Sequence, residues 1–312
     1  MADNATATLE RGALQKSRPI LADLDVPLGK RVKLHRLLYE YGVGNGTLLI
    51  LPIDQGIEHG PLNFFPNPAS KDPEYQWRLA LEGGYNAIAC HWGMARMYMQ
   101  EYAGKVPLIL KINGKTNVPS DSNAFSPLTG SVEDAVAIGA DAVGYTLYVG
   151  SPRQDVDIDQ LRQVREKCEK WGMPLIVWSY PRGSAIEEKG GRDSLYAVDY
   201  AARLAHELGA DIIKLNEPKK SEKDAQQPKP YNTVSWDADE GIRRVVESAG
   251  RSMVLFSGGS KISDEDLLDK ARRTMEQGST GLIFGRNLWQ RPFDESLALT
   301  ERIKGMLRSF PA

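Results

Sequence analysis

The sequence predicts one (β/α)8 barrel, and three observations lead there. Eight short apolar, β-branched-rich runs recur from residue 48 onward, amphipathic stretches with helix-capping residues separate them, and polar residues collect at the C-terminal ends of the runs. The runs are LLILPID (48–54), NAIACHW (86–92), PLILKIN (107–113), AVGYTLYV (142–149), PLIVWSY (174–180), DIIKLN (211–216), SMVLFSGG (252–259) and TGLIFGRN (280–287). Continuous apolar runs without polar alternation suit strands covered on both faces, as in a parallel sheet. The main rival is a doubly wound open sheet. No G-x-G-x-x-G follows the first run, which weighs against its dinucleotide-binding form.

Residues 1–30 are polar and mixed, and read as an N-terminal arm that is mobile or makes an edge contact in an oligomer. In 31–42, Val32, Leu34, Leu37, Leu38 and Tyr41 fall at helical spacing and Gly42 supplies the stop. Asp72 with Pro73 marks a helix start, as do Ser131 before Val-Glu-Asp, Ser194 before a stretch reaching Leu208, Ser235 before Ile242, Val245 and Val246, and Ser263 before Asp-Glu-Asp. Pro292 opens the last helix, to about Arg308. No Gly-, Pro- or Ser-rich linker interrupts 48–308, so 31–312 is expected to be one barrel domain. Two segments are long, 115–130 after the third run and 217–234 after the sixth. Long insertions at those ends are where a substrate loop or lid lies in a barrel.

Composition narrows the function. With 39 Lys+Arg against 41 Asp+Glu, the net charge of −2 gives no drive toward nucleic acid or an anionic membrane. Cys90 and Cys168 are too few for a disulfide framework and belong to no C-x-x-C pair, which suits reduced thiols in a cytoplasm. MADNATATLERGALQKS carries no apolar stretch after a basic start and no run approaches 18 apolar residues, so neither a leader nor a span is expected.

A barrel interior excludes charge, so polar residues at the strand ends are candidates for chemistry. They are Asp54, His91, Lys111, Asn113, Tyr145, Tyr148, Trp178, Tyr180, Lys214, Asn216, Ser257, Gly285, Arg286 and Asn287. Residues two apart share a face, so Trp178 points with Tyr180 and Lys214 with Asn216. Lys214 stands in an apolar run. Burial beside another cation lowers a lysine pKa and frees an amine to attack a carbonyl; the other reading is a strand-end ion pair with Asp54 or a loop acid. The turns SGGSK (257–261) and FGRN (284–287) follow the last two runs, where barrels often hold a phosphate: glycine lets backbone N–H groups approach the oxygens and Arg286 adds charge. Asp, Glu and His within LPIDQGIEHGP match no usual zinc spacing, and no catalytic metal is expected.

LPIDQGIEHGP, KINGKT, VGYTLYVGS, IVWSYPRG, GADIIKLN, SGGSK and GLIFGRNLWQRP, in this order, resemble the archaeal-type class I fructose-bisphosphate aldolases of the DhnA/DeoC-like group. The resemblance covers about 30–308. It implies a Schiff-base enzyme acting on a phosphorylated sugar without a cofactor, in a large homo-oligomer. It also implies Lys214 as the Schiff-base residue, Tyr180 as the proton-transferring residue, Asp54 in the active site and Trp178 lining the sugar. Ser257, Gly258, Gly259, Gly285 and Arg286 would hold a phosphate. Lys111 is expected in the substrate-binding set, either as the cation that depresses the Lys214 pKa or as an ion-pair partner of Asp54. Two departures stand out: Asp54-Gln55 where many members have Asp-His, and Asn216-Glu217-Pro218 with a charged insert where they have a Tyr-Thr-Gly loop. Within the same group, a lysine-dependent transaldolase or thiolase is the alternative; outside it, a barrel that only binds a phosphorylated ligand such as FMN.

Overall fold

The structure is a computed structural model that describes residues 18–312. All eight runs are strands: β1 (Leu48–Pro52), β2 (Ala87–His91), β3 (Leu108–Lys111), β4 (Ala142–Val149), β5 (Leu175–Pro181), β6 (Ile212–Leu215), β7 (Met253–Ser257) and β8 (Gly281–Ile283). They pair in parallel in sequence order, and β8 returns to β1 to close the barrel. Closure depends on Gly281, where a Cβ would stand 2.1 Å from the Leu48 carbonyl oxygen. The open-sheet rival is thereby excluded.

Alternation sorts the strand residues into two cores. Leu49, Leu51, Ile88, Cys90, Leu110, Val143, Val177, Ile213, Val254 and Leu282 face the surrounding helices, whereas Ile50, Ala89, Ile109, Ile176, Trp178, Ile212, Leu255 and Ile283 fill the barrel. Leu34, Leu37 and Leu38 join the interior group and plug the N-terminal end of the barrel. They come from the helix Leu28–His35 and the wider turn Arg36–Glu40 that continues it. Asn86, fully buried, fastens this plug: its amide donates to the carbonyls of Leu37 (2.7 Å) and Tyr41 (2.9 Å) and its Oδ1 accepts from Leu49 N (2.7 Å).

Helix starts agree with the expected caps at Asp72, Ser131, Ser194 and Ser263, each side chain accepting a backbone N–H of the first turn. Other boundaries differ. The helix expected after Ser235 is capped two residues later by Asp237, and the first helix starts at Leu28 rather than 31. The 18-residue helix Gln154–Trp171 lacks such a signal, because Arg153 stands at its N-cap without a side-chain bond. Residues 1–17 of the expected arm lie outside the described residues. Residues 18–30 are packed down: Arg18 donates to the Phe310 carbonyl (2.8 Å), and buried Lys30 pairs with Asp211 (2.8 Å) and Glu169.

Candidate active site

Inward-facing positions near the C-terminal ends of β3 to β6 bring Lys111, Trp178, Tyr180 and Lys214 together. Register pairs Trp178 with Lys214 across β5 and β6, and Tyr148 with Tyr180 across β4 and β5. Gly144 of β4 makes room for the group: a Cβ there would stand 2.7 Å from Lys111 Cδ and 2.9 Å from the Trp178 ring. Two lysines lie against the indole, Lys111 Nζ at 4.1 Å and Lys214 Nζ at 5.5 Å from its ring centroid. Lys214 Nζ donates a hydrogen bond to the Tyr180 hydroxyl.

Burial governs the electrostatics. It lowers the Lys214 pKa to about 8, with Arg286 and Arg182 pushing the same way against Asp54 and Glu58. Burial also lowers Lys111 to about 8, where Lys214 adds to the effect and Asp54 opposes it. Both readings of Lys111 are thus present: it is a cation facing Lys214, and its Nζ lies 4.0 Å from Asp54 Oδ2, with a 2.5 Å bond to Thr146 Oγ1. Burial, reinforced by Glu58 and Asp54, holds the Tyr180 hydroxyl well above its ordinary value. Burial and then Lys111 bring His91 down to about 4, leaving a neutral imidazole.

Asp54 lies two residues beyond β1, at the N-cap of the short helix Gln55–His59. Glu58 follows one turn later, so both carboxylates face the mouth. They line a cleft with His91, Lys111, Asn113 and Thr146. Sequence reasoning took Glu58 only as part of a possible metal pattern; its i,i+4 spacing from Asp54 was the available signal.

At the other side of the mouth the two glycine turns are joined through Asn287. Its amide donates to the carbonyls of Gly258 and Ser260 (3.1 Å each) and its Oδ1 accepts from Ile262 N (2.9 Å). Gly259 adopts φ +69°, and no atom lies within 4 Å of where its Cβ would be. Gly285 lets the turn pack on β1, since a Cβ there would meet Pro52 O at 2.9 Å. Ser257 Oγ donates to Asn216 Oδ1 (2.7 Å), linking β7 to β6. Arg286 opens the short helix Arg286–Trp289 and is half-buried.

Of the strand-end candidates, Tyr145 falls outside the site and Asn113, at the cleft, is held by the sheet. Tyr145 points outward and bonds Asp157 Oδ1 (2.6 Å), as its odd position opposite Tyr148 requires. Asn113 exchanges hydrogen bonds with the Thr146 backbone (2.8 and 2.7 Å), extending the β3–β4 ladder with a side chain. His206 bonds Ser252 Oγ (2.9 Å) on the outer layer. Among the described residues, no group of three or more His, Cys, Asp and Glu side chains is placed to hold a metal, and no helix is long and apolar enough to cross a membrane.

Residues 48–291 match the family model described as DeoC/LacD family aldolase. The chain is 42% identical over 247 residues to the class 1 fructose-bisphosphate aldolase of Thermoproteus tenax, covering 79% of this chain and 84% of that one. It is 36% identical over 247 residues to the same enzyme of Halobacterium salinarum, covering 79% and 86%. Among solved structures it is similar to an archaeal fructose-1,6-bisphosphate aldolase whose catalytic Lys is covalently bound to the carbinolamine intermediate of the substrate (TM-score 0.74, 36% identity, 88% of this chain and 98% of that one). It is also similar to the fructose-bisphosphate aldolase of Slackia heliotrinireducens (TM-score 0.79, 26% identity, 92% and 90%). A buried lysine at the mouth of a closed barrel, together with matches spanning the whole barrel, means that this chain belongs to the DeoC/LacD family aldolases and within them to the class 1 fructose-bisphosphate aldolases.

Proposed function

We propose that the protein is a class I aldolase that reversibly cleaves fructose 1,6-bisphosphate to dihydroxyacetone phosphate and glyceraldehyde 3-phosphate through a Schiff base on Lys214. The carrying observation is the buried Lys214 amine, bonded to a hydroxyl instead of a carboxylate and lowered to about 8. At pH 7 such a group is free amine in roughly one molecule in ten, against about 0.04% for an ordinary lysine. Lys214 Nζ attacks the C2 ketone; the carbinolamine loses water to give an iminium. The iminium accepts the C3–C4 bonding pair as a base removes the C4 hydroxyl proton, and glyceraldehyde 3-phosphate leaves. Protonation of the enamine at C3 and hydrolysis then release dihydroxyacetone phosphate and the amine.

In this reading Tyr180 moves protons. Its raised pKa keeps it protonated, so that it gives up its proton only to a partner that has become basic; until then its oxygen accepts the hydrogen bond of the Lys214 amine. Asp54 lies beside Lys111 and offsets part of the positive charge of the cavity, while Trp178 and Lys111 form the wall against the sugar. Ser257, Gly258, Gly259, Gly285 and Arg286 take a phosphate, with the turn shaped by Asn287. A barrel that merely held FMN would have no use for a lysine amine kept from its carboxylates. The same reading places the enzyme in the cytoplasm as a homo-oligomer, consistent with two buried free thiols, of which Cys168 is pushed by burial up to about 12.

Borohydride reduction in the presence of dihydroxyacetone phosphate tests the assignment. One adduct per chain is expected at Lys214, and none in Lys214→Met. An adduct on Lys111, the other lysine lowered to about 8, would move the nucleophile across Trp178 and overturn the proposal.

A further inference from the structure

The segment 217–234, where a lid or substrate loop was expected, is fastened to its neighbours. Glu217 pairs with Lys270 of the helix Asp264–Glu276 (3.3 Å), and Tyr231 donates to Asp199 Oδ2 (2.7 Å). Gln227 is buried, accepts from Tyr196 N (3.0 Å) and lies against Gly190, where a Cβ would stand 2.5 Å from Gln227 Cγ. At the start of the segment, Lys219 N donates to the Asp193 carbonyl (2.7 Å) and Lys219 Nζ lies 3.4 Å from Asp193 Oδ2. The insert thus holds the loop after β5, and Asp193 in particular, beside the end of β6.

Asp193 reaches the mouth through Asn216. That residue follows β6, two positions beyond Lys214 and so on the same inward face, and the pairing of Leu215 with Phe256 sets it beside Ser257. Asn216 Nδ2 lies 3.5 Å from Asp193 Oδ1, and Asn216 Oδ1 accepts from Ser257 Oγ (2.7 Å). Each contact fixes the polarity of the other. An ionised carboxylate only accepts, so it takes the NH2 end of the amide; the amide oxygen is left for Ser257, whose single hydroxyl proton is spent on it. Turning the amide over would set its oxygen against the carboxylate. Ser257 therefore offers the mouth lone pairs, and a phosphate oxygen placed there meets another acceptor. The donors that a ketose phosphate carries are its hydroxyls.

We propose that Asp193 is a positioning residue which, through Asn216, makes the Ser257 hydroxyl the acceptor of a sugar hydroxyl and leaves the phosphate to the glycine turns and Arg286. Ser257 borders the phosphate without donating to it, so this point of the site tells a hydroxyl from a phosphate oxygen. The inference rests on the reading of the glycine turns as a phosphate site and of Lys214 as the nucleophile.

The experiment measures the concentration that half-saturates borohydride trapping at Lys214 for dihydroxyacetone phosphate and for dihydroxyacetone, which differ by the phosphate alone. Wild type, Ser257→Ala, Asp193→Asn and the double variant are compared. Ser257→Ala should weaken both ligands by about 3- to 10-fold and leave their ratio unchanged, because the bond lost is to a hydroxyl that both carry. A reduced preference for the phosphate, or no weakening, overturns the proposal. Asp193→Asn frees the amide to turn over and Ser257 to donate to the phosphate, so the preference for dihydroxyacetone phosphate should rise by about 3- to 10-fold. That rise should vanish when Ser257→Ala is added. No rise overturns the proposal, as does a rise that persists without Ser257, which is what removal of a negative charge gives by itself. Should the wild type form no adduct at Lys214, the Schiff-base reading has failed and inorganic phosphate, followed through Tm, still decides the relay. Asp193→Asn should bind it about 3- to 10-fold more tightly than wild type, but only where Ser257 is present, and equal affinity refutes the role of Asp193.

Discussion

Lys30 and Lys214 are both buried, at opposite ends of the same barrel, and their pKa values move in opposite directions. At the N-terminal end, burial lowers Lys30, but Asp211 and Glu169 more than restore it and it finishes above its ordinary value. At the C-terminal mouth, burial lowers Lys214 to about 8, because its hydrogen-bond partner is the neutral hydroxyl of Tyr180 and two arginines face it. Burial alone therefore does not make a reactive amine. What separates the two is whether a carboxylate touches the ammonium; Lys30 is a structural cation and Lys214 is left unpaired.

The comparison can be broken most severely at Tyr180. Tyr180→Phe keeps the ring and removes the hydroxyl, so kcat should fall by about 10²–10⁴ while borohydride trapping at Lys214 persists. Near-normal turnover would leave Tyr180 as packing, with Tyr148 the remaining inward-facing tyrosine; Tyr145 is excluded by its outward bond to Asp157.

Stability separates the two lysines next. Lys30→Met leaves Asp211 buried without its cation and should destabilise by about 3–5 kcal/mol, seen as a lower Tm. Lys214→Met should raise Tm. A lysine whose folded pKa lies below its unfolded value costs stability in full below about pH 8, and the cost fades as pH climbs toward 10.5. At neutral pH that cost is on the order of 3 kcal/mol. Lys30, raised, contributes stability that persists up to its ordinary pKa and is lost only as pH passes its folded value. Melting curves at pH 7 and pH 10 should thus converge for wild type and Lys214→Met; equal Tm values at pH 7 would mean that the amine is not strained by burial.

Arg286 gives the smallest effect and the finest distinction. Arg286→Ala should raise KM for the phosphorylated substrate by roughly 10- to 100-fold through loss of a charge-assisted contact. It also removes one of the cations that lower Lys214, so the pH profile of borohydride trapping should shift to higher pH. A KM change without that shift would place Arg286 on the phosphate but out of reach of the amine.

Strand positions, most helix caps and the parity of Trp178, Tyr180 and Lys214 were legible in the sequence because each depends on neighbours within a few residues: period-two alternation, a capping hydroxyl or carboxylate, a glycine at a tight turn. The parity of β4 was equally legible, and it separates Tyr145 from Tyr148. The signals that failed were local ones too, as at Arg153, where a long helix starts without a cap, and at Ser235, where a better cap stood two residues on.

By itself, then, the sequence determined an eight-fold alternation of strands and helices, the apolar strand that holds Lys214 and the motifs of an aldolase family. Only the tertiary structure decided that β8 closes on β1, that Lys111 shares Trp178 with Lys214, that Glu58 joins Asp54 at the mouth, and that Lys30 has carboxylate partners while Lys214 has a hydroxyl. The physical reason is range. Charge and pKa follow from burial and from distances of a few ångströms, and those distances join residues such as Lys30 and Asp211, 181 positions apart, which no local pattern relates.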